Sequence, residues 1–398
     1  MCGIYGYMMK DPSKRPDAGI LRRMGERLIH RGPDDSSEHV DGHVALGHRR
    51  LAIIDLSACG RQPMSNEDGT VWIVFNGEIY NFLDYRGDLA RKGHVFRSRT
   101  DTEVILHLYE EHGMGCLAKL NGMFAFALWD KPRGELFLAR DRLGIKPLHY
   151  ADVGGQVAFA SEIKALLAHP EISRDLDFEA LDQYLTFEYV PAPKSIFRDI
   201  RKVLPGEYLR VDSRGGIHSE RYWEIDYTRE MPDKPEQEQA EALGDLLRRA
   251  VRRQLVADVP LGAFLSGGID SSAICALAAE AVPKVKTFHI GFEEKSFDES
   301  EYAAEVARHL GTDHHVKRFS AGDMLDLVPS VMDYLDEPFG DASFLPCLLL
   351  SRFTREHVKV SLSGDGGDEL FAGYPTYIAH CVAPYYRYVP RLVRHGVA

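Results

Sequence analysis

The chain has no C-x-x-C pair. Its six cysteines, Cys2, Cys59, Cys116, Cys275, Cys347 and Cys381, are widely scattered. That spacing argues against a cysteine zinc site or a disulfide framework and for reduced thiols. No apolar run is long enough to span a bilayer, and no basic-then-apolar stretch opens the sequence. A cytoplasmic location is the expectation. Positive charge is the scarcer sign: 48 Lys and Arg against 60 Asp and Glu leave −12 at pH 7. This argues against a broad nucleic-acid-binding or membrane surface but leaves room for a local basic pocket. Internal repeats and long low-complexity tracts are also missing. What is present is ordinary for a folded enzyme: 398 residues, 44% hydrophobic and 27% charged, enough for two or three domains.

The first half reads as short strands. "VWIVFNGEIYN" is an apolar run closed by an Asn-Gly turn signal, and "GMFAFALWD", "GELFLARD" and "QVAFASEI" are further strands. Two helical patterns lie among them. "DAGILRRMGERLIH" repeats apolar residues at Ile20, Leu21, Met24 and Leu28, and "DTEVILHLYEEHG" runs from an Asp or Thr cap to Gly113. Strand blocks with interposed helices predict a layered α/β sandwich. The polar, proline-bearing stretch "DYTREMPDKPEQEQ", residues 226–239, reads as a linker between domains at 1–225 and 240–398. Beyond it strands such as "LGAFLS", "VKTFHIGF", "HHVKRF" and "VKVSLSG" alternate with helical patterns. That rhythm predicts a parallel sheet with helices on both faces.

Two loops of the second half carry chemistry. "LSGGIDSS", residues 265–272, joins a strand to a helix. Its glycines let the backbone approach an anion, the helix N-terminus offers unpaired N–H groups, and Ser266, Ser271 and Ser272 add hydroxyls. The Gly-Lys-Ser/Thr ending of a Walker A loop is missing. "LSGDGGDELFAGY", residues 362–374, sets Asp365, Asp368 and Glu369 among glycines. A solvated acidic turn is the ordinary fate of D-G-G-D. Beside a phosphate loop, carboxylates suit Mg²⁺, which takes oxygen ligands and bridges phosphates.

The first half has one feature of the same kind. Cys2 follows the initiator methionine. Removal of Met1 would leave a thiol and an α-amine on one Cα, and such an amine titrates near ~8. A nucleophile beside its own base is one way to activate a thiol. A cysteine at position 2 means nothing alone.

The motifs together resemble a known family. "CGI", "HRGPD" (30–34), "HRRLAIID" (48–55), "NGEIYN" (76–81) and "RTDTEVILHLYEE" (99–111) are similar to the class II glutamine amidotransferases. S-G-G-I-D-S-S resembles the pyrophosphate loop of the ATP pyrophosphatases. In this order they resemble the glutamine-hydrolysing asparagine synthetase family over essentially the whole chain. The resemblance implies an N-terminal-nucleophile αββα sandwich followed by a Rossmann-like ATP pyrophosphatase domain. Cys2 would attack the glutamine amide. Asn76, through its side chain, and Gly77, through its N–H, would form the oxyanion hole. Arg50, Leu51, Ala52, Ile53 and Ile54, with Glu78 and Asp101, would bind glutamine. Leu265 and Ile290 would frame adenine. Ser266, Gly267, Gly268, Asp270, Ser271 and Ser272, with Ser363 and Gly364, would hold ATP. Asp270 and Asp368 would hold Mg²⁺, and Asp365 would serve formation of the adenylated intermediate.

The implied reaction takes glutamine, aspartate and ATP to asparagine, glutamate, AMP and pyrophosphate, in a cytoplasmic homodimer. Amidation of another carboxylate, on a surface polysaccharide or a peptide, is the alternative. Two departures stand out. Asp365 occupies a position where several family members have glutamate. The chain also ends at Ala398, before the family's R-V-P-F-L-D-like motif and its lysine. The expectation is a synthetase half incomplete at its C-terminus, so that glutamine hydrolysis outpaces asparagine formation, or a fragment that is a glutaminase only.

Overall fold

Alternation along the strands builds four layers from the first half of the chain. The computed structural model describes residues 1–228, 232, 234–386 and 388. In chain order the strands of this part are β1 (Gly3–Met9), β2 (Asp35–Asp41), β3 (Val44–Arg50), β4 (Met64–Ser65), β5 (Val71–Ile79) and β6 (Gly122–Asp130). They continue with β7 (Glu135–Arg140), β8 (His149–Val153), β9 (Gln156–Ala160), β10 (Ile200–Lys202), β11 (Glu207–Val211) and β12 (Ile217–Arg221). One sheet has the order β10-β8-β9-β1-β3-β2 and the other β12-β11-β7-β6-β5-β4.

Successive strand residues face opposite ways. Ile4 and Met8 of β1 therefore join Val44 and Leu46 of β3 in a core shared with Val74, Ala125 and Ala127 of the second sheet. Tyr5 and Tyr7 face outward against Leu21 and Met24 of the helix Ala18–Glu26. On the second sheet, Ile73 and Phe75 meet Phe82 and Leu89 of the helix Phe82–Arg91 and Val104 and Leu108 of the helix Asp101–His112. The layers thus run helix, sheet, sheet, helix.

The Asn-Gly pair expected to close a strand does not turn the chain. Asn76 and Gly77 lie inside β5, paired with Ala125 and Phe124 of β6. The reason is steric. A Cβ at Gly77 would fall 2.2 Å from the Met123 carbonyl oxygen and 2.7 Å from the Phe124 Cα. Glycine here serves close strand approach, not a turn.

The second half contributes β13 (Leu261–Phe264), β14 (Lys286–Phe292), β15 (Asp313–Phe319) and β16 (Val360–Leu362). They form a parallel sheet in the order β15-β14-β13-β16. The helices Ile269–Ala281 and Ser300–Leu310 follow β13 and β14. Ala263, Leu265, Cys275, Ala278, Ala303, Ala307 and Leu362 share one apolar cluster. Ala263 pairs with Leu362, so the loops after β13 and β16 leave the same carboxyl edge. Open α/β sheets bind ligands at that edge.

The chain divides into two compact units. One comprises Met1–Gln239, Val256–Val259 and Leu325–Cys347; the other comprises Ala240–Leu255, Pro260–Met324 and Leu348–Ala398. A helix begins at Glu236, inside the stretch read as a linker, where "EQEQAEALGDLL" supplies strong helix formers directly after Pro235. Residues 229–231 and 233 of that stretch lie outside the described residues.

Two glycine substitutions test this packing by denaturant unfolding. Gly77→Ala should destabilise by about 1–3 kcal/mol, the usual cost of forcing a methyl into filled space. Gly87, exposed in the helix Phe82–Arg91 with nothing near its missing Cβ, should gain roughly 0.5–1 kcal/mol as Gly87→Ala. A neutral Gly77→Ala would contradict the close approach.

Candidate functional site

Gly3 pairs with Arg49, which brings residue 2 against the chain as it leaves β3. The Leu51 N–H donates to Cys2 Sγ at 3.4 Å, and the thiol faces the Leu51 carbonyl at 3.7 Å. Arg31 Nε donates to the Cys2 carbonyl at 2.8 Å, and its Nη1 donates to Glu162 Oε1 at 2.7 Å. Burial pushes the Cys2 thiol up, while the Leu51 N–H, the positive chain terminus, Arg31 and Arg50 pull against it.

Three more charged groups are shut in with it. Burial, and then Asp101, raise Glu78 to about 7, against the pull of Lys146 and the chain terminus. Burial raises Asp101 to about 6, although its Oδ2 accepts from the Ile79 N–H at 2.8 Å. Burial and Arg31 lower Lys146 to about 8, opposed by Glu78, Asp141 and Cys2. Buried groups moved toward neutrality are what a site for proton transfer displays. Local structure fixes them. Thr100 caps the helix Asp101–His112 through the Glu103 N–H, and Glu103 accepts from the Arg97 and Ser98 N–H groups at 2.7 Å each.

Asn76 is only 1% exposed, yet neither atom of its amide has a hydrogen-bond partner among the described residues. Buried polar groups are nearly always bonded. A buried amide kept free of partners has the character of an oxyanion donor. The Arg50 guanidinium is placed differently. It donates to the Ser57 carbonyl at 2.9 Å, the Ile54 carbonyl at 3.4 Å and the Asp55 carbonyl. It therefore holds the turn through residues 54–57. Ala52 N donates to Asp34 Oδ2 at 2.9 Å, and the Ile53 carbonyl accepts from the Asp258 N–H at 2.9 Å. Arg31, Lys146 and Glu162 were not among the residues singled out from sequence. Arg31 could have been, since it sits within H-R-G-P-D; Lys146 and Glu162 are separated from Cys2 by long stretches of chain.

In the second unit, Gly267 has φ +90°, a left-handed backbone that favours glycine, and a Cβ there would fall 2.6 Å from Tyr302 Cβ. Ser266 Oγ and Ser271 Oγ are 3.0 Å apart, and the Gly268 N–H donates to Ser266 Oγ at 3.2 Å. Gly268 caps the helix Ile269–Ala281 without a side-chain bond, and Ser272 Oγ is buried with no partner among the described residues. The second loop closes on the first. A Cβ at Gly364 would fall 2.8 Å from Ser271 N, and one at Gly367 would fall 2.5 Å from Asp270 Cγ. These close approaches make a cradle that fits phosphate oxygens at a helix N-terminus. Leu265 and Ile290 are buried beside it, on or next to neighbouring strands. Ser363 Oγ donates to Asp365 Oδ2 at 2.8 Å. Asp368 packs over Gly373 instead: a Cβ there would fall 1.9 Å from Asp368 Oδ1. Asp270 and Asp368 share no cluster of three metal-ligating groups among the described residues.

Two family models match the chain. The family described as "Glutamine amidotransferase domain" matches residues 1–223, and "Asparagine synthase" matches residues 242–396. The chain is 40% identical over 384 residues to "Asparagine synthetase [glutamine-hydrolyzing] 1" of Bacillus subtilis, covering 95% of this chain and 59% of that protein. The chain belongs to the glutamine-hydrolysing asparagine synthetase family. A second member of the family, "Asparagine synthetase [glutamine-hydrolyzing] 3" of the same organism, is 39% identical over 394 residues, covering 94% of this chain and 63% of its own length. The chain thus spans about six-tenths of the length of these relatives. Among solved structures it is similar to a glutamine phosphoribosylpyrophosphate amidotransferase from B. subtilis, at 18% identity, with a TM-score of 0.44 and coverage of 80% and 81%.

The buried Arg31–Glu162 pair gives a pH-dependent test. Burial would raise Glu162, but His30 and Arg31 outweigh it and hold the carboxyl at about 2. Its contribution to stability is full above the usual glutamate value and is lost as pH falls toward about 2. Glu162→Gln should therefore destabilise by about 3 kcal/mol at neutral pH, and the gap from the parent should close in acid. Unfolding measured across that range checks it; a gap independent of pH would contradict it.

Proposed function

We propose that the chain is a glutamine-dependent amidotransferase that makes asparagine from aspartate. The observation that carries the reading is the buried, unpartnered Asn76 amide, taken with the amidotransferase match over residues 1–223. With Met1 removed, the α-amine of Cys2 takes the thiol proton and the sulfur attacks the glutamine side-chain carbonyl. The Asn76 amide and the Gly77 N–H receive the negative oxygen of the tetrahedral intermediate. Its collapse expels ammonia, which carries away the proton held by the amine, and leaves a thioester that water hydrolyses to glutamate. Glu78 and Asp101 hold the ammonium end of glutamine. Arg50, with Leu51, Ala52, Ile53 and Ile54, shapes the wall around its carboxylate.

In the second unit ATP is the substrate that activates the acceptor. The backbone and hydroxyls of Ser266, Gly267, Gly268, Ser271 and Ser272, with Ser363 and Gly364, hold its phosphates, and Leu265 and Ile290 flank the base. A bound Mg²⁺, with Asp270 and Asp368 as its protein ligands, would neutralise phosphate charge. The aspartate carboxylate displaces pyrophosphate from the α-phosphorus, with Asp365 beside the forming adenylate. Ammonia then displaces AMP. The cytoplasm and a homodimer are the proposed setting.

Product analysis tests the reading. With glutamine, aspartate, ATP and Mg²⁺ the nucleotide products should be AMP and pyrophosphate, and ADP would overturn the second half. Cys2→Ala should lose glutamine hydrolysis by at least about a thousandfold while remaining folded. Asn76→Ala should lower kcat roughly 100- to 1000-fold with a smaller change in KM. Glutamate release by Cys2→Ala near the parent rate would overturn the first half.

A further inference from the structure

A second cluster stands apart from Cys2. One donor atom from each of Glu67, His94, His107 and Glu110 lies within 4.8 Å of all the others. Glu67 is on the turn between β4 and β5, and His94 is on the loop after the helix Phe82–Arg91. His107 and Glu110 are three apart on the helix Asp101–His112, the spacing that puts two side chains on one face. Both imidazoles aim the same nitrogen at the same two carboxylates. His107 Nδ1 is 2.8 Å from Glu110 Oε2 and 3.8 Å from Glu67 Oε2. His94 Nδ1 is 3.5 Å from Glu110 Oε2 and 3.7 Å from Glu67 Oε1. The ring centroids are 4.5 Å apart, and His107 is 1% exposed.

We propose that Glu67, His94, His107 and Glu110 form a structural site for a divalent transition metal, with zinc the best match. A tetrahedral ion about 2.0 Å from each donor spaces its ligands roughly 3.3 Å apart. The two separations to Glu110 Oε2, 2.8 and 3.5 Å, fall on either side of that value, and Glu67 presents one oxygen to each imidazole at 3.7 and 3.8 Å. Two imidazole nitrogens and two carboxylate oxygens suit zinc better than the all-oxygen shells of Mg²⁺ or Ca²⁺.

The independent observation is the shell behind the donors. His94 Nε2 lies 3.2 Å from Glu111 Oε1, a carboxylate behind a ligating histidine. Asn66 Nδ2 donates to Glu110 Oε1 at 2.8 Å, and the Val95 N–H donates to Glu67 Oε1 at 2.8 Å. His94 and Glu110 are therefore oriented from the far side, as metal ligands are, and Glu67 is held through the oxygen that faces His94. On binding, His107 takes the neutral tautomer with its proton on Nε2, which leaves Nδ1 to ligate, and Glu110 turns from hydrogen-bond acceptor to ligand. Four protein donors close the shell, which makes the site structural and not catalytic. It ties the turn at Glu67 and the loop at His94 to the helix whose first residue is Asp101.

Cobalt(II) titration of the chelator-stripped full chain tests this. The site predicts one ion per chain, with the visible absorption of four-coordinate nitrogen and oxygen donors, displaced by one equivalent of Zn²⁺. His107 is buried, so the variants use the less enclosed positions, with circular dichroism confirming the fold. His94→Gln should weaken binding about 100-fold or more, and Glu111→Gln, which contacts His94 among the four donors and otherwise pairs with Lys92, roughly tenfold or more. Four results would each overturn the proposal. They are uptake well below one equivalent, the faint spectrum of a six-coordinate adventitious ion, thiolate charge-transfer bands that place the metal on cysteine, and unchanged affinity in His94→Gln.

Discussion

A slip of one residue between β1 and β3 would turn Tyr5 and Tyr7 into the layer between the sheets and carry Cys2 away from Leu51. That register is the constraint on which the site depends. It is enforced from both faces. Gly6 lies where a Cβ would strike the Ala45 carbonyl at 2.3 Å, and Gly47 lies where one would strike the Tyr5 ring at 2.1 Å. With register fixed, residue 2 is held by backbone contacts that any residue there would keep, which leaves its side chain free for chemistry.

Desolvation then sets the electrostatics. Burial is the first cause of the shift at Cys2, Glu78, Asp101 and Lys146. Glu78 then responds to Asp101 and Lys146, and Lys146 to Glu78 and Cys2, while hydrogen bonds temper Asp101 and the Leu51 N–H and nearby positive charges temper Cys2. Removing Lys146 should therefore shift Glu78, and removing Glu78 should shift Lys146. The proposed phosphate cradle of the second unit works differently. It depends on glycines that let Asp270 and Ser271 sit against the loop after β16, and on unbonded groups at a helix start.

The sequence made legible what is local. Strands such as Lys286–Phe292 and the helix Asp101–His112 follow from short-range pattern, as do the two Gly-rich loops. β2 was not legible, because its residues DSSEHVD carry almost no apolar signal; it exists by pairing with β3. Asn76-Gly77 was misread as a turn because the demand on Gly77 comes from Met123 and Phe124, far along the chain. The same holds for Lys146 and Glu162, and for the Glu67–His94–His107–Glu110 cluster, which only the fold assembles. Within that cluster the His107 and Glu110 pair was readable as a helical i, i+3 spacing; its partners were not.

In the proposed function the fold delivers one thiol, at the matured terminus, to the glutamine site. An electrophilic diazoketone analogue of glutamine tests it directly, since thiolate displaces nitrogen from such a group and stays attached. After reaction at near-stoichiometric reagent, peptide mass spectrometry should find one adduct per chain, on Cys2, in a peptide whose first residue is that cysteine. The exposed thiols Cys59, Cys347 and Cys381 should stay unmodified. An adduct spread over those exposed cysteines, or formed equally on chains that retain Met1, would contradict the account.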